Sequence, residues 1–308
     1  MTVTATHRAV DSAPGTTPRP ALLAGLLVAL AVGMATASVV GPLVLGLMTY
    51  RTSPTTLNQL LGSDAAALVV VAPITVVAAV LAARRHPAAP VLATGIGVFT
   101  VYTYAQVIVG QEYLRLAGTV ERWFPLLLAV FILGEGAIVL GLRGMPAQLP
   151  ALPRRLERVA ASALLLVAFF LAFGLHLRTL IIAWTDPLSL TEYASSPTPF
   201  WLVKLMDLGI VAPAAIAAGV GLWRHAAWAR RVAYIVLTGY TLLAVSVTSM
   251  AAVMIAKDDP DASPALALGF GFFAVVFVVL TGALYRRLSL GTASVTDRRE
   301  TGGGPLGA

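Results

Sequence analysis

Eight long apolar stretches constrain this chain more than any other feature. They fall at 22–49, 65–83, 90–110, 122–142, 159–183, 200–223, 232–256 and 264–285. A helix of about 20 residues crosses a hydrocarbon core of roughly 30 Å. Inside lipid the backbone must bond to itself, which leaves helices or closed barrels. The stretches lack the alternation of barrel strands, so the sequence predicts an all-α polytopic transmembrane bundle of eight spans. Charge usage agrees: 11% of the 308 residues are charged and the mean hydropathy is +0.86, against about 25% charged in soluble domains.

The basic residues give the direction. A net charge of +7 could fit nucleic acid, but its carriers form short clusters between apolar stretches, the pattern of topology signals. No nucleic-acid partner is expected; the lipid bilayer is the partner this composition dictates, and protein partners are left open. With the N-terminus inside, fifteen arginines fall in cytoplasmic segments, among them Arg84, Arg85, Arg154, Arg155, Arg230 and Arg231. The opposite loops hold Arg51, Arg115, Arg122 and Lys257. Fifteen against four places both termini in the cytoplasm. Arginine outnumbers lysine 19 to 2, a bias typical of GC-rich bacterial genomes, so a bacterial plasma membrane is the expected location. Residues 1–37, ending in Ala35-Thr36-Ala37, resemble a cleavable signal peptide. The apolar run continues to Met48, however, and is expected to remain as the first span. Residues 1–20 and 289–308 are rich in Thr, Ser, Pro and Gly without apolar periodicity and read as disordered tails.

An internal similarity organises the rest. "LVVVAPITVVAAVLAARR" (68–85) matches "LGIVAPAAIAAGVGLWRH" (208–225) at a constant offset that pairs Ala72-Pro73 with Ala212-Pro213 and Arg84 with Arg224. Two four-helix halves, 21–150 and 151–288, follow. An even number of spans returns the chain to its starting side, so the halves are expected in parallel orientation about an axis along the membrane normal. Pro73 and Pro213 each remove a backbone bond in mid-helix and are expected to kink it.

The polar residues within the spans are the functional candidates. Asp207 and Lys204 lie one turn apart on one face of the sixth stretch, and a mid-membrane charge costs roughly 2.5–3.5 kcal/mol. The pair can act as a packing salt bridge or as part of a site. His176 and Arg178 lie at similar depth in the fifth stretch, and Tyr102 and Gln106 share a face of the third. Asp64 occupies the repeat position of Lys204. A single polar chamber in the outer half of the membrane would satisfy all of them. Glu135, between Gly134 and Gly136, is a candidate proton relay or a helix-packing residue.

Catalytic signatures are weak. There is no cysteine, no histidine spacing suited to a metal and no serine in a nucleophile-elbow pattern. The glycines of "GIGVF" and "GFGFF" lie inside apolar spans, not in a phosphate-cradling loop. No cofactor, metal or catalytic residue is therefore expected. Two function classes remain: a transporter of a small solute or ion, or a non-transporting sensor, assembly factor or complex subunit whose charges hold helices together. An enzyme is the less favoured third.

The combination of Tyr50, Gln59, Gly62, Asp64, Pro73, Tyr102 and Tyr104 with "VKLMDLGIVAP" resembles a group of bacterial multi-spanning membrane proteins without an assigned activity. The resemblance runs from about residue 40 to 285 and implies an architecture only.

Overall fold

The computed structural model describes residues 20–146 and 149–301, with side chains to Leu288. Eight of the described helices are long and apolar enough to cross a membrane. They are α1 (Pro20–Val40), α2 (Pro54–Ala83), α3 (Ala88–Val109), α4 (Val120–Gly144), α5 (Arg154–Thr185), α6 (Pro197–Trp223), α7 (Ala227–Ala256) and α8 (Pro264–Leu288). The protein is an all-α, eight-span membrane bundle. Val69, Leu205 and Leu268 are among many large apolar side chains exposed on its flanks, as expected where lipid replaces water.

The ends of the helices differ from the sequence expectation in three places. The first helix stops at Val40, not at 49, and the chain turns back so that Met48 and Tyr50 are buried. The second starts at Pro54, eleven residues before its apolar stretch, because Ser53 caps it by accepting from the Thr56 amide and proline occupies its first turn. The last helix continues through Thr301, so residues 289–301, read as tail, are helical; no proline interrupts them, and extending a formed helix is cheap. Of the expected N-terminal tail only Pro20 is described, and it opens α1; residues 302–308 lie outside the described residues.

Proline shapes α2 and α6 in the same way. Its ring crowds the carbonyl four residues earlier, which is Val69 in one helix and Gly209 in the other. In both, the preceding turn widens into a π-helical segment, Ala67–Val71 and Asp207–Val211. The carbonyl that closes each segment receives an extra hydroxyl. Thr75 donates to Val71 O at 2.7 Å within α2, whereas Val211 O accepts from the Tyr240 hydroxyl of α7, Ala215 standing at the matched position. Both helices then end identically. The amides of Arg85 and His225, each at φ 56°, bond to Ala82 O and Leu222 O, and those of His86 and Ala226 to Leu81 O and Gly221 O. This is the left-handed end that satisfies terminal carbonyls.

In the first four helices α1 packs on α2 and α4, and α3 on α2 and α4; in the last four α6 packs on α5 and α7, and α7 on α8. Two apolar cores result, one centred on each set, with Ala88 and Val91 of α3 joining that of the last four helices and Leu242 of α7 that of the first four. Between the sets, α7 lies against α3 and the first half of α2, while the start of α6 lies against α3. The loop-rich face, formed by connections 41–53, 110–119, 186–196 and 257–263, ties them further: Asn58 Nδ2 donates to Asp259 at 2.7 Å, and the Thr198 amide to Glu112 at 2.8 Å. The opposite, arginine-rich face has the connections 84–87, 145–153 and 224–226.

The α2–α7 contact is a backbone approach. A Cβ on Gly62 would stand 2.4 Å from Met250 Cα and 2.6 Å from Ser249 O, whereas one on Gly25 of α1 would meet nothing within 4 Å. Gly62→Ala is therefore expected to cost about 1–3 kcal/mol by overpacking, and Gly25→Ala to be neutral or slightly stabilising. Thermal unfolding of the two variants in the same detergent checks this; equal midpoints would refute the close approach.

Candidate functional site

Asp207 and His176 are each placed by an irregular turn. Asp207 opens the π segment ahead of Pro213, and His176 closes another, Phe170–His176, in α5. A π turn inserts a residue and swings the following side chains around the helix, a device common at functional positions. The two segments touch. His176 Nε2 lies 2.9 Å from Asp207 Oδ2, and the Tyr102 hydroxyl of α3 donates to Oδ1 at 2.5 Å. His176 and Asp207 are buried. The site joins one helix of the first half to two of the second.

A charge buried at this depth needs hydrogen-bonding partners. A lone carboxylate at mid-membrane costs about 2.5–3.5 kcal/mol, while hydrogen bonds between membrane helices return about 0.6 kcal/mol on average and about 1.7 at most. Two such bonds return about 1.2 kcal/mol on average and about 3.4 kcal/mol at most, so they match that cost only at their upper limit. The pair is neutral overall in two arrangements: imidazolium with carboxylate, or imidazole with carboxylic acid. They differ by a proton moved along one hydrogen bond.

Beside this group lies a cavity of about 100 Å³, room for about three waters. Its wall combines rings, among them Phe170 of α5, Tyr240 of α7, Phe273 of α8 and Tyr102, with aliphatic side chains such as Leu171 and Leu243, and Asp207 is its one acid. Gln106, one turn from Tyr102, has a buried Nε2 without a hydrogen-bond partner.

The remaining sequence candidates are elsewhere. Lys204 does not pair with Asp207. Helical side chains lean toward the N-terminus, so the long lysine runs back one turn and its Nζ sits 3.3 Å from the centre of the Phe200 ring, a cation–π contact, while the short aspartate reaches only the neighbouring helices. Asp64, ten residues inside α2, is buried and accepts from the Tyr50 hydroxyl at 2.9 Å. That bond exists because the chain after α1 doubles back, and Asp64 does not line the Asp207 cavity. Arg178 is exposed on α5, and Glu135 on the outward stripe of α4 that also carries Ile132 and Val139. The single chamber expected from depth alone is thus two separate acidic groups. Depth along a helix does not fix rotation about it.

Sequence reasoning missed Tyr240, whose hydroxyl bonds to the end of the π segment in α6, and the phenylalanines of the cavity, which read as ordinary apolar residues. It also missed Glu157, buried in α5 on the arginine-rich side, where His225 Nδ1 lies 2.7 Å from it and Arg230 donates at 2.6 Å. A lone acid within "RRLER" was the available signal. Comparison of the chain with family models, curated proteins and solved structures gives no match.

These contacts set a clear order of couplings. A double-mutant cycle on thermal stability with Asp207→Asn and His176→Gln should give an interaction of about 1–3 kcal/mol, whereas Asp207→Asn with Lys204→Met should be additive within about 0.5 kcal/mol. The reverse order would restore the lysine–aspartate pair.

Proposed function

We propose that the protein is a transporter of the bacterial plasma membrane, with both termini cytoplasmic, that exchanges protons for a small organic cation. One observation carries this reading: a buried carboxylate, hydrogen-bonded to a histidine, stands at the wall of a cavity lined otherwise by aromatic rings and aliphatic side chains. Ring faces attract ammonium groups, quaternary ones above all, and a carboxylate among them supplies the counter-charge. Asp207 can be neutralised by a proton or by a cation, and occupancy by one releases the other. The Tyr102 hydroxyl reports that choice to the first half of the molecule.

The matched segments support two parallel repeats. The π turns before Pro73 and Pro213, the left-handed ends at Arg85 and His225, and the hydroxyl bonds from Thr100 to Ile96 O and Thr241 to Leu237 O fall at corresponding places. In the first half, however, the position of Asp207 is held by Ala67, so the site exists once. Helices opened at matched prolines are suited to flexing about a central site. The competing reading, a fixed helix latch in a non-transporting subunit, rests on both Asp207 oxygens being already bonded.

Proteoliposomes holding a trapped pH dye decide between them. With tetramethylammonium added outside, inward exchange should raise the internal pH. Asp207→Asn should abolish the signal, Tyr102→Phe should lower it about tenfold, a change of about 1.4 kcal/mol, and Lys204→Met should leave it. If neither tetramethylammonium nor larger quaternary cations move protons, while Asp207→Asn lowers only the melting temperature, the latch reading stands.

A further inference from the structure

The α5–α8 seam differs from its counterpart between α1 and α4. There the helices close up: a Cβ on Gly33 would lie 2.8 Å from Val130 Cγ2. Between α5 and α8 packing is thin, and the arginine-rich end of the seam opens into a crevice of about 850 Å³. Leu156 and Val159 line one wall and Val279 and Leu280 the other, with Gly282 and Ala283 leaving space at the base. A Cβ on Gly282 would meet nothing within 4 Å.

The rim of this apolar crevice is cationic. Arg155, Arg286 and Arg287 surround it and are exposed. Among the described residues none of the three forms an ion pair or hydrogen bond, in contrast to Arg230, held by Glu157, and Arg231, which donates to Leu142 O. Unpaired guanidinium forks favour phosphate oxygens, which they can bind two bonds at a time. The seam closes further along, where the Phe170 and Phe273 rings stand 5.2 Å apart. From Ala283 to Phe273 the helix rises about 15 Å, half of a hydrocarbon core of roughly 30 Å.

We propose that this crevice is a binding site for one anionic phospholipid, its phosphate held by Arg155, Arg286 and Arg287 and an acyl chain lying between α5 and α8 up to the Phe170–Phe273 contact. The charge of the rim selects the headgroup, and the length of the apolar seam matches a tail of a single leaflet. Basic pockets between membrane helices recognise anionic headgroups by the same combination. The lipid completes a seam that the protein leaves unfilled, and it lies along the same two helices that wall the Asp207 cavity.

The test uses the full chain in nanodiscs of equal parts phosphatidylcholine and phosphatidylglycerol, followed by detergent release and native mass spectrometry of retained lipid. The wild type should keep one phosphatidylglycerol in preference to phosphatidylcholine by about tenfold or more. Arg155→Gln/Arg286→Gln/Arg287→Gln should lose that preference. Ala283→Trp, which fills the crevice and leaves every charge in place, should lose the lipid as well and stands alone if the triple variant does not fold. Arg84→Gln/Arg85→Gln, on the other half, should retain it. Retention of phosphatidylglycerol by the Trp variant, or its equal loss from the Arg84/Arg85 control, overturns the proposal. So does a dimer by light scattering that Ala283→Trp converts to monomer, since a second copy would then occupy the crevice.

Discussion

A backbone amide or carbonyl in hydrocarbon has no water to bond, so every departure from regular helix in this bundle must be answered by another group. The departures concentrate at two prolines and at one turn of α5, and the answers can be traced. Val71 O takes the Thr75 hydroxyl of its own helix, and Val211 O takes that of Tyr240 from the next. The second solution ties α6 to α7 and places a tyrosine beside the only aromatic-walled acid described in the bundle. A local repair of hydrogen bonding thereby becomes part of a site.

The same constraint places the ionisable groups. Asp207 and His176 belong to π segments, where the extra residue turns them toward each other and toward Tyr102. His176 and Tyr102 lower the cost of burying Asp207 by bonding to its two oxygens. Asp64 found a different remedy in Tyr50, and Lys204 a third in the face of Phe200. Asp207, Asp64 and Lys204 thus have three unlike local environments, and Asp207 lies at the wall of a cavity.

The two halves are alike where the backbone is concerned and unlike where side chains meet. Their second helices widen into a π turn and end in the same manner. Yet α1 and α4 close on a glycine while α5 and α8 stay apart, and the polar cluster occurs on the second half's side alone. One half therefore has the tighter packing of a scaffold, and the other has both of the cavities discussed. Tyr102 is the link by which the first half contacts the site in the second.

The number and character of the spans were legible in the sequence, because the apolar length needed to cross a bilayer is a local property. So were the prolines that follow the matched π turns, and the residues Tyr102, His176 and Asp207 as polar groups needing partners. Which groups met could not be read. Lys204 and Asp207 are neighbours by spacing, but side-chain reach and lean send one to a ring and the other across to α5 and α3. Asp64 depends on a chain reversal after α1 that no short-range pattern announces, and Arg178 and Glu135 turned outward because rotation about a helix axis is set by packing. The sequence by itself determined that ionisable groups would lie within the apolar spans, since hydrophobicity acts along the chain. Only the tertiary structure decided their partners and the empty space beside them, since both arise from contacts between helices distant in sequence.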